Sequence, residues 1–174
     1  MKNKKRIILV VFCFLMLFAS SAYAKPSKAK VKKAYKKYIA NVKSNGIHAF
    51  NIHYIDINRD GVLELFYERP EGADSALEVC TYKKGKVKAA GYMTGKVFKY
   101  NTKAKRLYAE FSGGGGTITK IYKLSGSKLK MTVKYEAVSW ASSYRKNGKS
   151  ISWKKYEKET KKYNNWKVLG GVNG

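Results

Sequence analysis

Asp56, Asn58, Asp60 and Glu64 alternate around Gly61 in the stretch YIDINRDGVLEL, residues 54–65. Calcium, a hard cation, takes about six to eight oxygen ligands, and a loop supplies them when carboxylates or amides occupy alternate positions about a turn-forming glycine. Here Asp56, Asn58 and Asp60 fill the first, third and fifth places, Gly61 makes the turn, the Val62 carbonyl is seventh and Glu64 ninth. The candidate metal set is therefore Asp56, Asn58, Asp60, Val62 and Glu64, for a structural Ca2+. The pattern departs from the helix-loop-helix calcium hand, because Tyr67 stands where a bidentate Glu is required and the flanks alternate like strands. One imperfect loop on an extracellular module implies weak binding, on the order of 10⁻⁴ to 10⁻³ M. The alternative is that Asp56 and Asn58 close Asx turns with no ion.

The acids are unusual for their surroundings. The 174-residue chain carries 37 Lys+Arg against 11 Asp+Glu, for a net charge of +26. Seven of those acids fall between Asp56 and Glu78, while lysines are spread through the remainder. Such a surface adheres to polyanions through contacts that salt weakens. The expected partner is an anionic cell-envelope polymer or polysaccharide, with nucleic acid bound only non-specifically. Lysine serving solubility alone is the competing reading.

Residues 1–24 combine a basic start, the apolar run Ile7–Phe18 and a small-residue stretch ending Ala22-Tyr23-Ala24. That layout reads as a secretory signal cut after Ala24, with an uncleaved anchor as the alternative, and the run is short of the ~20 residues of a membrane span. The protein is thus expected to be secreted or extracellular and associated with the cell wall. From Lys25 onward Cys80 is the single cysteine. No internal disulfide can form there, so stability rests on a hydrophobic core. Cys80 lies in the strand-like LEVCTY, where a small buried hydrophobe is expected.

Helices and strands on either side must position the loop. Val31, Tyr35, Tyr38, Ile39 and Val42 make one helical stripe over 27–43, opposite a lysine face. This basic amphipathic helix, within 25–46, is expected to dock on its own domain in preference to an anionic membrane. Phe50, Ile52 and Tyr54 before the loop, and Leu63, Leu65 and Tyr67 after it, alternate with period two, so the loop joins two strands. Four Tyr-led segments follow, YKKGKV from Tyr82, YNTKAKRL from Tyr100, YKLSGSKL from Tyr122 and YRKNGKSI from Tyr144, each built as a hairpin. Near the end Trp153, Tyr156, Thr160 and Tyr163 share a helical face behind a Ser152 cap, and 170–174 should fray. The fold class is α+β, an antiparallel meander sheet between an N-terminal helix and a short C-terminal one. Residues 47–174 form its β-rich part.

The loop resembles the DxDxDGxxEL loops of integrin-type propeller (FG-GAP) repeats, and more fully the small exported domains of Gram-positive bacteria that carry one D-I-N-x-D-G-x-x-E-L loop. In the latter the loop precedes Y-K-x-G-K hairpins, a Gly-rich stretch and a last hairpin leading into a helix. The corresponding pieces are TYKKGKV at 81–87, SGGGGT at 112–117 and NGKSISWKKYEKE at 147–159. The resemblance implies architecture, export and a calcium loop, and no activity. Arg59 stands where such loops carry a small polar residue. A single copy argues against the paired loops of a dockerin, and YKKGKVKAAGYMTG is only loosely similar to a choline-binding wall repeat.

Enzyme signatures are missing. SGGGGT lacks the Lys-Ser/Thr pair and following helix of a phosphate loop, and His48 and His53 fall on opposite faces of one strand. The function expected is an exported, non-enzymatic envelope-binding module. The alternative is a secreted hydrolase or inhibitor with a site between the Gly-rich and acidic loops. Trp140, Trp153, Trp166 and the tyrosines are read first as core packing, and second as a sugar- or base-binding surface.

Overall fold

The computed structural model describes residues 25–71 and 74–171. The expected signal segment, 1–24, lies outside them, as do 172–174. Among the described residues no helix is long and apolar enough to cross a membrane.

The chain begins with helix α1 (Lys28–Ser44), whose Ser27 cap accepts a hydrogen bond from the Lys30 N–H at 3.3 Å. Its buried residues are Val31, Tyr35, Ile39 and Val42. Burying four such side chains is worth on the order of 6–10 kcal/mol, enough to hold a helix whose remaining surface is mostly lysine. The expected docking face is therefore the one in use.

Strands β1 (Phe50–Ile55), β2 (Glu64–Glu71), β3 (Asp74–Lys83) and β4 (Lys86–Gly95) form one antiparallel sheet in chain order. The helical stripe packs on one face of it, against Leu65, Tyr67 and Cys80. The other face presents Phe66, Leu77, Val79 and Met93.

A second sheet follows, where the sequence reading expects a single one. It contains β5 (Val97–Asn101), β6 (Arg106–Gly113), β7 (Gly116–Ser125), β8 (Lys128–Val138), β9 (Ser143–Lys146), β10 (Lys149–Ser150) and β11 (Lys167–Gly171). Its order is β10-β9-β8-β7-β6-β5-β11. Phe98, Leu107, Ala109 and Leu169 meet the inner face of the first sheet. The outer face takes helix α2 (Trp153–Lys161) through Tyr108, Ile121, Tyr135, Tyr156 and Tyr163. The layers thus run helix, sheet, sheet, helix, with three cores between them.

All four Tyr-led segments are hairpins between adjacent antiparallel strands. Two expectations need correction. Gly170 and Gly171 do not fray, because β11 pairs with β5 and buries Leu169 between the sheets. Trp140 and Trp153 are not core residues: they are 83% and 52% exposed, because the aromatic core on that side is built from tyrosines.

Candidate functional site

The loop 56–63 leaves β1 and returns as β2, and its apolar residues anchor it on both sides of the first sheet. Ile57 is buried between the sheets, while Val62 and Leu63 pack into the core under α1. The polar residues between these anchors are left to arrange their oxygens. Arg59 (φ +59°) is exposed and carries its side chain away from the core, and Gly61 turns the chain at φ +88°. That region is disfavoured for residues with a Cβ, which is the physical reason the motif places glycine there.

The side-chain oxygens are taken up by the loop's own backbone. Asp56 accepts from the Asp60 N–H at 3.0 Å and from the Gly61 N–H at 2.9 Å. Asn58 Oδ1 accepts from the Asp60 N–H at 2.9 Å, and Asp60 Oδ1 from the Val62 N–H at 2.8 Å, two Asx turns in succession. Glu64 Oε2 accepts from the Ile57 N–H at 2.9 Å. Asn58 Nδ2 bridges the remaining oxygens, donating to Asp60 Oδ2 at 2.9 Å and to Glu64 Oε1 at 3.2 Å.

Glu64 is 2% exposed and, among the described residues, faces no lysine or arginine at ion-pair distance. Burial pushes its carboxyl up to about 8, with Asp60 and Asp56 adding to the rise and the Ile57 N–H opposing it. Asp56, Asn58, Asp60, Val62 and Glu64 thus lie on one short loop, as the sequence reading expects. The donors are hard oxygens, the chemistry calcium selects. Their present arrangement is closed around an amide NH2 group. Among the described residues no three His, Cys, Asp or Glu side chains converge as a metal-holding group. An ion here requires the Asn58 amide to leave its bridging position and turn its oxygen inward.

Asp60 and Glu64 also line a groove of about 730 Å³. The same groove is lined by Lys25 and Lys30 from the start of α1, and by Lys83 and Lys84 from the β3–β4 turn. Lys25 Nζ lies over Gly61, 3.0 Å from where a Cβ would stand. Gly126 and Ser127 of the β7–β8 turn also line it. Sequence reasoning did not select these lysines, which are four among many.

The Gly-rich stretch lies elsewhere. It forms the β6–β7 turn, at the other end of ten-residue β7 from Gly126, roughly 30 Å away at strand spacing. It lines a separate groove of about 240 Å³ with Phe111, Ile118 and Glu136. The acidic and Gly-rich loops therefore do not share a cavity.

A second buried acid, Glu68, escaped the sequence reading. It is fully buried between the sheets, where Oε1 accepts from Asn51 Nδ2 at 2.8 Å and from the Gly171 N–H at 3.2 Å. It ties β11 to the first sheet. The signal was available: in ELFYER, residues 64, 66 and 68 share one face of β2, and Phe66 marks that face as internal. Cys80 is buried as expected, and burial pushes its thiol up to about 12. Comparison of the chain with family models, curated proteins and solved structures returns no match.

Proposed function

We infer that the protein is an exported, non-enzymatic binding module of the cell envelope. Its loop 56–64 takes a structural calcium ion, and its lysine-rich surface takes an anionic polymer. The observation that supports this reading best is Glu64, a buried carboxyl that no lysine or arginine among the described residues approaches at ion-pair distance, on a loop that gathers four further oxygen donors. Calcium there would neutralise the three acids and lock the β1–β2 connection, using Asp56, Asn58, Asp60, the Val62 carbonyl and Glu64. Export rests on the signal-like leader, with cleavage after Ala24 leaving Lys25 as the first residue.

Calorimetry with calcium on the exported protein and on Asp60→Ala tests the ion. A millimolar-range binding heat is expected for the first, and a weaker one or none for the variant. Identical heats for both would overturn the calcium reading. Adhesion to purified cell wall is expected to fall steeply with added salt. Binding indifferent to salt would overturn the electrostatic part.

A further inference from the structure

The end of the second sheet away from the acidic loop exposes aromatic rings. Two turns meet there, residues 113–116 between β6 and β7 and residues 139–142 between β8 and β9, tied by the Ser139 N–H donating to the Gly115 carbonyl at 3.3 Å. Trp140, in the second turn, is 83% exposed. Trp153 is 52% exposed, and its ring centre lies 5.0 Å from that of Tyr144, on the strand leaving the same turn. Phe111, 38% exposed, lies beside Gly113. Three of the seven large apolar side chains that the described residues expose therefore fall at this one end. Gly114 and Gly115 put no side chain in front of them.

The surroundings of these rings are cationic. Lys96 Nζ lies 5.7 Å from the Phe111 ring centre, and Arg145, Lys149 and Lys154 are exposed on the β9–β10 hairpin and at the start of α2. The acids of these elements offset little of this: Glu136 and Glu159 are held by Lys134 and Lys146, Glu110 by the Tyr108 hydroxyl, and Glu157 stands among four lysines of α2. An exposed apolar patch rimmed by charge marks a protein or membrane contact. The charge calls for an anionic partner, and the rings call for an apolar one. Tryptophan is suited to the boundary between the two, its ring in the apolar phase and its indole N–H toward the polar one. A sugar would need hydrogen-bonding side chains beside the ring, and Trp140 is flanked by Ser139 and Ala141. A ring so fully projected from a turn meets its partner on both faces, which a bilayer surface provides and a single stacked base does not.

We propose that this end of the second sheet docks on a bilayer carrying anionic lipids, with Trp140 entering the headgroup region ahead of Trp153 and Phe111, and with Lys96, Arg145, Lys149 and Lys154 meeting the lipid phosphates. The protein lies on the membrane and does not span it. Attachment of this kind adds the burial of apolar surface to electrostatic attraction, and each basic residue near an anionic leaflet strengthens it. The inference is independent of the calcium loop. Gly116 at one end of β7 belongs to the aromatic turns, and Gly126 beyond the other end lines the groove that Asp60 shares.

Vesicles of phosphatidylcholine, with and without phosphatidylglycerol, test it on the protein purified after export, read by co-sedimentation and by tryptophan emission. Binding is expected with phosphatidylglycerol only and should weaken with salt, while emission shifts to the blue and is quenched by brominated acyl chains. Trp140→Ala should weaken binding about tenfold and remove most of the quenching. Trp140→Lys should weaken it too, although it adds a positive charge. Tighter binding by Trp140→Lys would overturn insertion in favour of charge attraction alone. Met131→Ala removes another exposed apolar side chain, toward the other end of β8, and should change nothing. Equal losses from Trp140→Ala and Met131→Ala overturn the site. No vesicle binding, or binding without quenching, overturns the docking. If Trp140→Ala spares vesicle binding and instead weakens binding to a single-stranded polynucleotide or a soluble polysaccharide, the rings serve that ligand and the membrane assignment fails.

Discussion

The Tyr35 hydroxyl, on α1, donates to the Leu63 carbonyl at the end of the acidic loop, 2.8 Å away and out of solvent. It also lies 3.4 Å from the Cys80 carbonyl. One helical residue therefore fixes where the loop rejoins the sheet. Tyr35→Phe keeps the ring and its packing but strips the buried Leu63 carbonyl of its side-chain donor, a loss of about 1–2 kcal/mol. The urea midpoint should drop accordingly with the slope unchanged. The calcium affinity proposed for the loop should fall a few-fold in the same variant, because the loop's exit is less fixed. An unchanged midpoint would show that the hydroxyl does not hold the loop.

Gly116 is the last glycine of SGGGGT and differs from its neighbours. It stands at φ +139°, and a Cβ there would overlap the Ala137 carbonyl oxygen on β8. Around Gly114 and Gly115 there is nothing within 4 Å. Gly115→Ala should leave thermal stability within about 0.5 kcal/mol, whereas Gly116→Ala should cost about 2 kcal/mol or more, through strain and a distorted β7–β8 pair. Equal melting temperatures for the two variants would contradict this arrangement of the turn.

What could be read from sequence follows from range. The α1 stripe and the alternating strands about the loop are local periodicities, and each formed close to its expected bounds. The loop's donor order is local too, so its five residues could be named, and the Asx turns they make were the competing expectation. The second sheet was not legible. Successive hairpins look alike whether they extend one sheet or start another, and here only Lys96 separates β4 from β5. The role of Gly170 and Gly171 depends on Leu169 reaching a core made by distant strands, so their glycines suggested fraying instead. The groove is the extreme case. Lys25 and Lys84 are distinguished from other lysines only by the groove they line in the fold.

Cys80 has no accessible surface, and burial in an apolar setting keeps its thiol protonated, pushed up to about 12. Thiolate is the reactive form, so at neutral pH the folded chain offers neither access nor nucleophile. With a typical stability of ~5 kcal/mol the open population is on the order of 10⁻⁴, and labelling through opening is slowed by a similar factor. A colorimetric disulfide reagent should find no thiol in the native exported protein and one per chain in strong denaturant. Prompt native reaction would contradict the burial of this strand.

Glu159 on α2 joins two elements of the second sheet. Its Oε2 receives the Tyr135 hydroxyl at 2.6 Å and Lys146 Nζ at 2.5 Å. The lysine hydrogen bond, the tyrosine hydrogen bond and the nearby Lys146 and Lys155 charges hold its carboxyl below the usual glutamate range. A group whose folded value is depressed contributes stability above its unfolded value, near 4.3, and loses it as pH falls through the lower folded value. The side chains of Lys146 and Glu159 are 34% and 20% exposed, so solvent and salt screening keep the contribution modest, below about 1 kcal/mol. Glu159→Gln should therefore be less stable than the wild type at pH 7 by a small, salt-sensitive margin. The difference should shrink below pH 4 and vanish once the wild-type carboxyl is protonated. Urea midpoints of the two proteins at pH 7 and pH 2.5 check it. A gap that persists undiminished at the lower pH would mean that Glu159 acts through packing, and that its charge does not hold α2 to the sheet.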